Sequence, residues 1–475
     1  MSTATTTRRR HASRLNRRTM LRGAAGAAAL AVPATQLGGF RPALAAPAIQ
    51  GEGVVLTDQL GRDYLAYPET TGTVEFSNCW GGARIPLIDQ WIADFQATYP
   101  NIQVQSNVSD CAAIREQQVA SLAGGQPANV MMIKSDSIAF FAEQNAILGI
   151  DDLMARDGVS SEWFYPGEMA SRVWEGTAYG LPNVTAGALH LLFVNQGLLE
   201  RIGLDPDQEF STWQDLDALV EPAKAAGLFV MDPAKISTGM TAHLVFTYAN
   251  GGRYWNDDLT TVLWNEPAGV VAAEWMLQFV KAQADSYENL ATGANRNNVL
   301  QPEDWAPEQY VAMINGSWSF FQLASVAPHI DFSAFTFPRN ADNPESAGQT
   351  PTTGGWSFCM TRAGADQAAA WEWLKFTCAS SAACTFAIEQ DRPSPVEACN
   401  EDPALAEANP YWQVVIDDLS TGIAVPSTSI HPQFVQLWLD MEDAILYEEM
   451  APKEALDSYA EEGQRLLDEW NESRG

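Results

Sequence analysis

Between residues 73 and 133 the chain alternates strand and helix signals in a way that admits few folds. Thr73–Ser77 has the strand pattern, and Ile88, Trp91, Ile92, Phe95 and Tyr99 then mark one face of an amphipathic helix. Pro100-Asn101 stops that helix before a second strand at Ile102–Ser106. A helix through Arg115–Ala123 ends at Gly124-Gly125, where glycine relieves the backbone. Val130–Ile133 is short and wholly apolar, as a strand covered on both faces must be. Strand–helix–strand–helix–strand at this spacing predicts an α/β fold with a parallel sheet and right-handed crossovers.

Past residue 185 the pattern loosens. Leu189–Val194 reads as a strand, and Ser211 or Thr212 as the cap of a helix beginning near Trp213. Glu266–Lys281 and Ala306–Gly316 read as helices, Phe332–Phe337 and Gly355–Cys359 as strands around a Gly/Pro/Asn-rich loop at 338–355. Phe434, Leu437, Trp438, Met441 and Ile445 line one face of a late helix. About 430 residues after residue 45 exceed what one hydrophobic core serves, so two domains are expected.

Residues 1–45 read as a cleavable export signal: basic start, weakly apolar Gly23–Val32, and Ala43-Leu44-Ala45 as a small-residue exit. Adjacent Arg17 and Arg18 make it resemble a twin-arginine signal, with the twin-arginine translocase as partner during export. Asn16 and Met20 depart from the residues usual there. Residues 46–72 show little periodic pattern and read as an N-terminal extension. With no cysteine near the exit and no later run of ~20 apolar residues, neither a lipid anchor nor a spanning helix is expected. The product is assigned to the periplasm or cell exterior. The leader holds eight of the 27 basic residues; 27 less these eight leaves 19 against 59 acidic, a net charge of −40. So acidic a surface argues against nucleic-acid binding.

Six cysteines in an exported chain suggest disulfides. Cys79 and Cys111 each follow a predicted strand and form the first expected pair; Cys384 with Cys399 is the second. No Cys-x-x-Cys, His-Glu-x-x-His, Gly-x-Ser-x-Gly or phosphate loop occurs, and Gly51 with Gly53 fails the dinucleotide fingerprint. No cofactor, metal or catalytic residue is therefore assigned. His190, His243, His329 and His431 are scattered singly, and the acidic pairs are too numerous to mark a glycosidase site. Aromatics beside glycine stand out instead: Trp80 before Gly81-Gly82, Tyr254-Trp255 after Gly251-Gly252, Trp318 after Gly316, and Trp356 after Gly354-Gly355. An aromatic wall suits the apolar face of a sugar ring, with carboxylates, amides and arginine taking the hydroxyls.

Several stretches, in order, resemble the extracellular solute-binding proteins of ABC sugar importers, the maltodextrin-binding-like family. They are Leu87–Val104, Gly124–Val130 (with Asn129 where Asp is usual), Phe141–Leu153, Glu175–Pro182, Phe193–Asn195 with Gly203-Leu204 and Thr212-Trp213, and Met313–Trp318. The resemblance implies a two-lobed periplasmic-binding-protein-like fold with discontinuous lobes and an interlobe ligand cleft. Lobe I is expected at 73–184 and 332–391, lobe II at 185–331 and 392–475. Carried over by position, the ligand-binding residues are Trp80, Arg84, Asp110, Asp136, Asn183, Thr185, Trp255, Trp318, Gly355, Trp356 and Arg392, with Ser135 beside Asp136. The implied function is non-catalytic capture of a mono- or oligosaccharide by a monomer, and delivery to the transmembrane subunits of an ABC permease. A non-sugar solute such as a polyamine or phosphodiester is the alternative ligand, and a secreted glycoside hydrolase the alternative class.

Overall fold

The computed structural model describes residues 51–474 except 112, 186–187, 237–239, 291–304, 352–354, 391 and 427. The basic leader with Arg17 and Arg18 lies outside the described residues. The first element is a hairpin of β1 (Val54–Thr57) and β2 (Asp63–Ala66). The Asp58 carboxylate holds its turn, accepting from the Leu60 and Arg62 amides at 2.9 and 3.0 Å. Arg62 pairs with that carboxylate at 2.6 Å and also donates to the Ala379 carbonyl. Tyr64 and Ala66 sit in the first core. What reads in sequence as a patternless extension is thus part of the domain; strands of four residues are too short to display a period.

The expected alternation then follows: β3 (Gly72–Asn78), α1 (Ile85–Thr98), β4 (Ile102–Val108), α2 (Ile114–Ala123) and β5 (Val130–Lys134). β3 runs parallel to both β4 and β5. α1 turns Ile88, Trp91 and Phe95 onto the sheet. After α3 (Ile138–Glu143) and α4 (Pro166–Ala170), a small hairpin of β6 (Val173–Trp174) and β7 (Thr177–Ala178) leads to β8 (Leu181–Val184). The five-stranded sheet is completed by a strand from far along the chain, Trp356–Met360, antiparallel to β5 and β8.

β9 (Leu191–Asn195), wholly buried, is the centre of a second sheet. Among the helices around it are α5 (Trp213–Ala225), α6 (Ala242–Ala249) and α7 (Pro267–Ala284). Thr212 caps α5 in a reciprocal box: its hydroxyl accepts from the Asp215 amide and Asp215 accepts from the Thr212 amide. β10 (Ala312–Asn315), α8 (Trp318–Val326) and β11 (Phe332–Phe335) follow, with β10 and β11 antiparallel to β9 on either side. Two expectations fail here. Residues 306–316 are not a helix: Val311–Ile314 is an apolar run too short for its period to decide, and a place beside β9 makes it a strand. Phe332–Phe335 belongs to the second sheet rather than to lobe I, because its ladder bonds go to β9.

β12 is the returning strand Trp356–Met360. Beyond it lie α9 (Gln367–Leu374), α10 (Ala382–Ile388), α11 (Trp412–Thr421), α12 (His431–Leu446) and α13 (Pro452–Glu472). Phe434, Leu437, Trp438, Met441 and Ile445 are all buried, as their spacing requires. Val396 and Cys399 still pack in the first core, while Leu405 and Trp412 pack in the second, so the chain leaves the first lobe after residue 399 rather than at 392. Both expected disulfides are present. Cys79–Cys111 joins the loops after β3 and β4, and Cys384–Cys399 ties α10 to the following loop.

A buried ionic cluster fastens the N-terminal hairpin to α9. Lys375 Nζ reaches Asp157 at 2.7 Å, Glu372 at 2.9 Å and the Leu65 carbonyl at 2.6 Å. Burial pushes the Asp157 carboxyl up, but hydrogen bonds from Arg156, Lys375 and Trp371 outweigh it and hold the group below the usual carboxylate range.

Candidate ligand-binding cleft

The residues joining the lobes are built on α4 and the turn after it. Arg172, with no exposed surface, donates to Glu168 at 2.9 Å and to the Glu168 carbonyl at 2.7 Å. Its Nε donates to Ser357 Oγ at 2.9 Å, and it also reaches the Val184 and Trp356 carbonyls. One guanidinium thus pins α4, the end of β8 and the start of β12 together. Thr185, the first residue of the crossover from β8 to β9, donates its hydroxyl to Glu168.

On one side of this turn is a cavity of about 270 Å³. Ser135, Asp136, Ala139, Ser171 and Trp174 line it from the first lobe, and Val425, Pro426 and His431 from the second. Asp136 is 5% exposed, accepts from Ser137 Oγ at 2.8 Å, and lies 3.9 Å from His431 Nε2. Trp174 is held from behind by Trp470 and by Arg474, whose guanidinium lies 4.9 Å from the Trp174 ring and pairs with Glu175. Gly355 borders this wall, its carbonyl accepting the Ser135 amide at 2.9 Å. Trp356 follows, half-buried under the Lys134 ammonium at 5.6 Å.

Arg84 and Arg392 form a second group. Arg84 donates from Nε to Gln390 at 2.7 Å. Arg392 lies over the ring of Trp318, the first residue of α8, at 5.7 Å. Burial, and then the charge of Arg84, lower the Arg392 pKa to about 9. Trp318 comes from the second lobe and the arginines from the first, so this contact also spans the cleft.

The structure therefore puts Thr185 on Glu168, Arg392 over Trp318 and within range of the charges of Glu168 and Arg84, and Asp136, Gly355 and Trp356 at or beside the cavity. Four expected ligand residues lie elsewhere. Trp80 is 3% exposed and packs on Phe386 and Phe358 at 4.7 and 5.7 Å, so its indole is core. Trp255 is 1% exposed against Phe434 and Trp438. Both were marked by neighbouring glycines, which signal a turn without saying which way the ring points. Asn183 turns inward, donating to the Thr377 carbonyl at 2.8 Å. Asp110 is exposed in the loop beyond β4 and does not line the cavity. The sequence reading missed Glu168, Arg172, Trp174, Gln390 and the Val425–His431 segment. Only the Glu168/Arg172 spacing of one helical turn offered a signal.

A family model described as bacterial extracellular solute-binding protein matches residues 83–377. Among solved structures, the chain is similar to an ABC transporter solute-binding protein of Thermotoga lettingae bound with alpha-D-tagatose. Identity is 19% and the TM-score 0.71, covering 84% of this chain and 100% of that one. It is also similar to an ABC substrate-binding protein of Listeria monocytogenes in complex with cycloalternan (16%, TM-score 0.72, 84% and 99% covered). A third is the GacH receptor of Streptomyces glaucescens, solved unliganded and with acarbose (18%, TM-score 0.70, 85% and 100% covered). At these identities the likeness establishes the two-lobed α/β fold.

Proposed function

Because the chain belongs to the bacterial extracellular solute-binding protein family, we propose that it captures a mono- or oligosaccharide between its lobes and delivers it to the membrane subunits of an ABC importer. The observation that carries this is the cleft itself. Ser135, Asp136, Ser171 and Trp174 of the first lobe and His431 of the second line a cavity of about 270 Å³, and Arg392 of the first lobe meets Trp318 of the second. Flat rings for apolar sugar faces beside hydroxyl-binding side chains are what saccharide recognition needs. The saccharides in the three structures above support the same class. The action is binding, not catalysis, by a monomer exported along the twin-arginine route and free of a lipid anchor. The lobes close on the ligand, and the closed form is what the importer reads.

Thermal unfolding against a panel of saccharides tests this. A ligand that binds only the folded state adds RT ln(1 + [L]/Kd), about 2.7 kcal/mol at a hundredfold excess over Kd. At least one saccharide should raise the melting temperature and be recovered chemically unchanged. An unmoved melting curve across the panel would reject the carbohydrate reading; product formation would reject the non-catalytic one. Trp318→Ala and Trp356→Ala should each weaken binding without unfolding the protein.

A further inference from the structure

Three other wholly or partly buried arginines end on carboxylates or carbonyls. Arg172 has Glu168, Ser357 and backbone oxygens; Arg156 has Asp157 at 2.6 Å; Arg62 has Asp58 and the Ala379 carbonyl. Arg84 and Arg392 differ. Arg84 makes one side-chain bond, to the neutral amide of Gln390. Arg392 is 6% exposed, and its Nε is buried without a hydrogen-bond partner. Among the described residues no carboxylate forms an ion pair with either one. The carboxylate whose charge acts on Arg392 is Glu168, already held by Arg172 and by the Thr185 hydroxyl.

Among the described residues Arg84, Arg392 and Arg172 stand against the one carboxylate of Glu168, in a chain with 59 acidic and 27 basic residues. The Arg392 guanidinium is buried away from water and is repelled by the charge of part-buried Arg84. An oxyanion between them relieves both costs, and the planar donor fork of arginine fits a carboxylate or phosphate with paired hydrogen bonds. Trp318 lies beneath Arg392, its ring packed on Gly316.

We propose that the natural ligand is an acidic saccharide, its carboxylate or phosphate ester seated between Arg84 and Arg392 in the interlobe cleft. This rests on the saccharide reading above and narrows it. Calorimetric titration of the mature protein tests it with three ligand arms: uronic-acid oligosaccharides, their neutral counterparts of equal length, and sugar phosphates. One acidic arm should bind at least about tenfold more tightly than the neutral arm, and the better acidic arm distinguishes carboxylate from phosphate. Arg392→Gln and Arg84→Gln should bring the acidic-over-neutral ratio close to one, while Arg392→Lys, which keeps the charge, should retain part of it. Circular dichroism of each free variant checks that it is folded. Neutral sugars binding as tightly as acidic ones, or a ratio unchanged in both glutamine variants, would overturn the acidic-ligand proposal and leave the saccharide reading standing. No binding in any arm would overturn both.

Discussion

Asp418 lies buried in α11, with its carboxylate accepting the Ala188 amide and its Oδ2 without a hydrogen-bond partner. Ala188 is in the crossover from β8 to β9 and has a left-handed backbone, φ 52°. Burial pushes the Asp418 pKa up from 3.8 to about 7. The folded protein therefore keeps a proton that the unfolded chain has already released, and stability falls as pH rises through the window between those values. The slope is at most about 1.4 kcal/mol per pH unit. Asp418→Asn keeps an oxygen for Ala188 but does not titrate. Urea denaturation at about pH 5 and about pH 8 should show the native protein losing stability over this range and the variant losing much less. Parallel pH profiles would contradict the assignment. The neighbouring case is Glu168, the carboxylate paired with wholly buried Arg172. Glu168→Gln leaves that guanidinium without its countercharge and should cost about 3–5 kcal/mol in the same experiment. A loss below about 1 kcal/mol would mean the pair is dispensable.

At the scale of elements, the two disulfides hold the segments that approach the cleft. Cys79–Cys111 closes a separation of 32 residues and Cys384–Cys399 one of 15. Loop-closure entropy assigns each about 3–4 kcal/mol. Denaturation of Cys79→Ala/Cys111→Ala and Cys384→Ala/Cys399→Ala proteins should show losses of that order; no loss would place the strength of these loops in their packing. The elements best legible in sequence were those whose period was long enough to read. α1, α12 and the β3–β5 alternation emerge at nearly the expected residues because each buries one continuous apolar face. The β1–β2 hairpin and β10 were missed because four residues carry no decisive period, and only pairing with a partner strand determines them. The candidate site was legible by halves. Arg84, Asp136, Thr185, Trp318 and Arg392 fall at or near element ends, and none of their side chains is packed into a lobe's apolar core. Trp80 and Trp255 sit at equally conspicuous loops, yet their rings turn into the core, and nothing local in sequence encodes that direction.

The described residues form two main sheets, two small hairpins and the helices around them, and the proposed site lies between the lobes. Among the contacts that join the lobes are Arg392 with Trp318, Asp136 with His431, Trp174 with Trp470, and Arg474 with Trp174, Glu175 and Glu143. The proposed closure on a ligand would add contacts to both sides of the cleft. Amide hydrogen exchange with and without the most stabilising saccharide tests this most directly. Protection should appear together in the first lobe, around residues 135–139 and 166–185, and in the second, around 318–323 and 424–431. Protection confined to one lobe, or lying outside these segments, would contradict binding in the interlobe cleft.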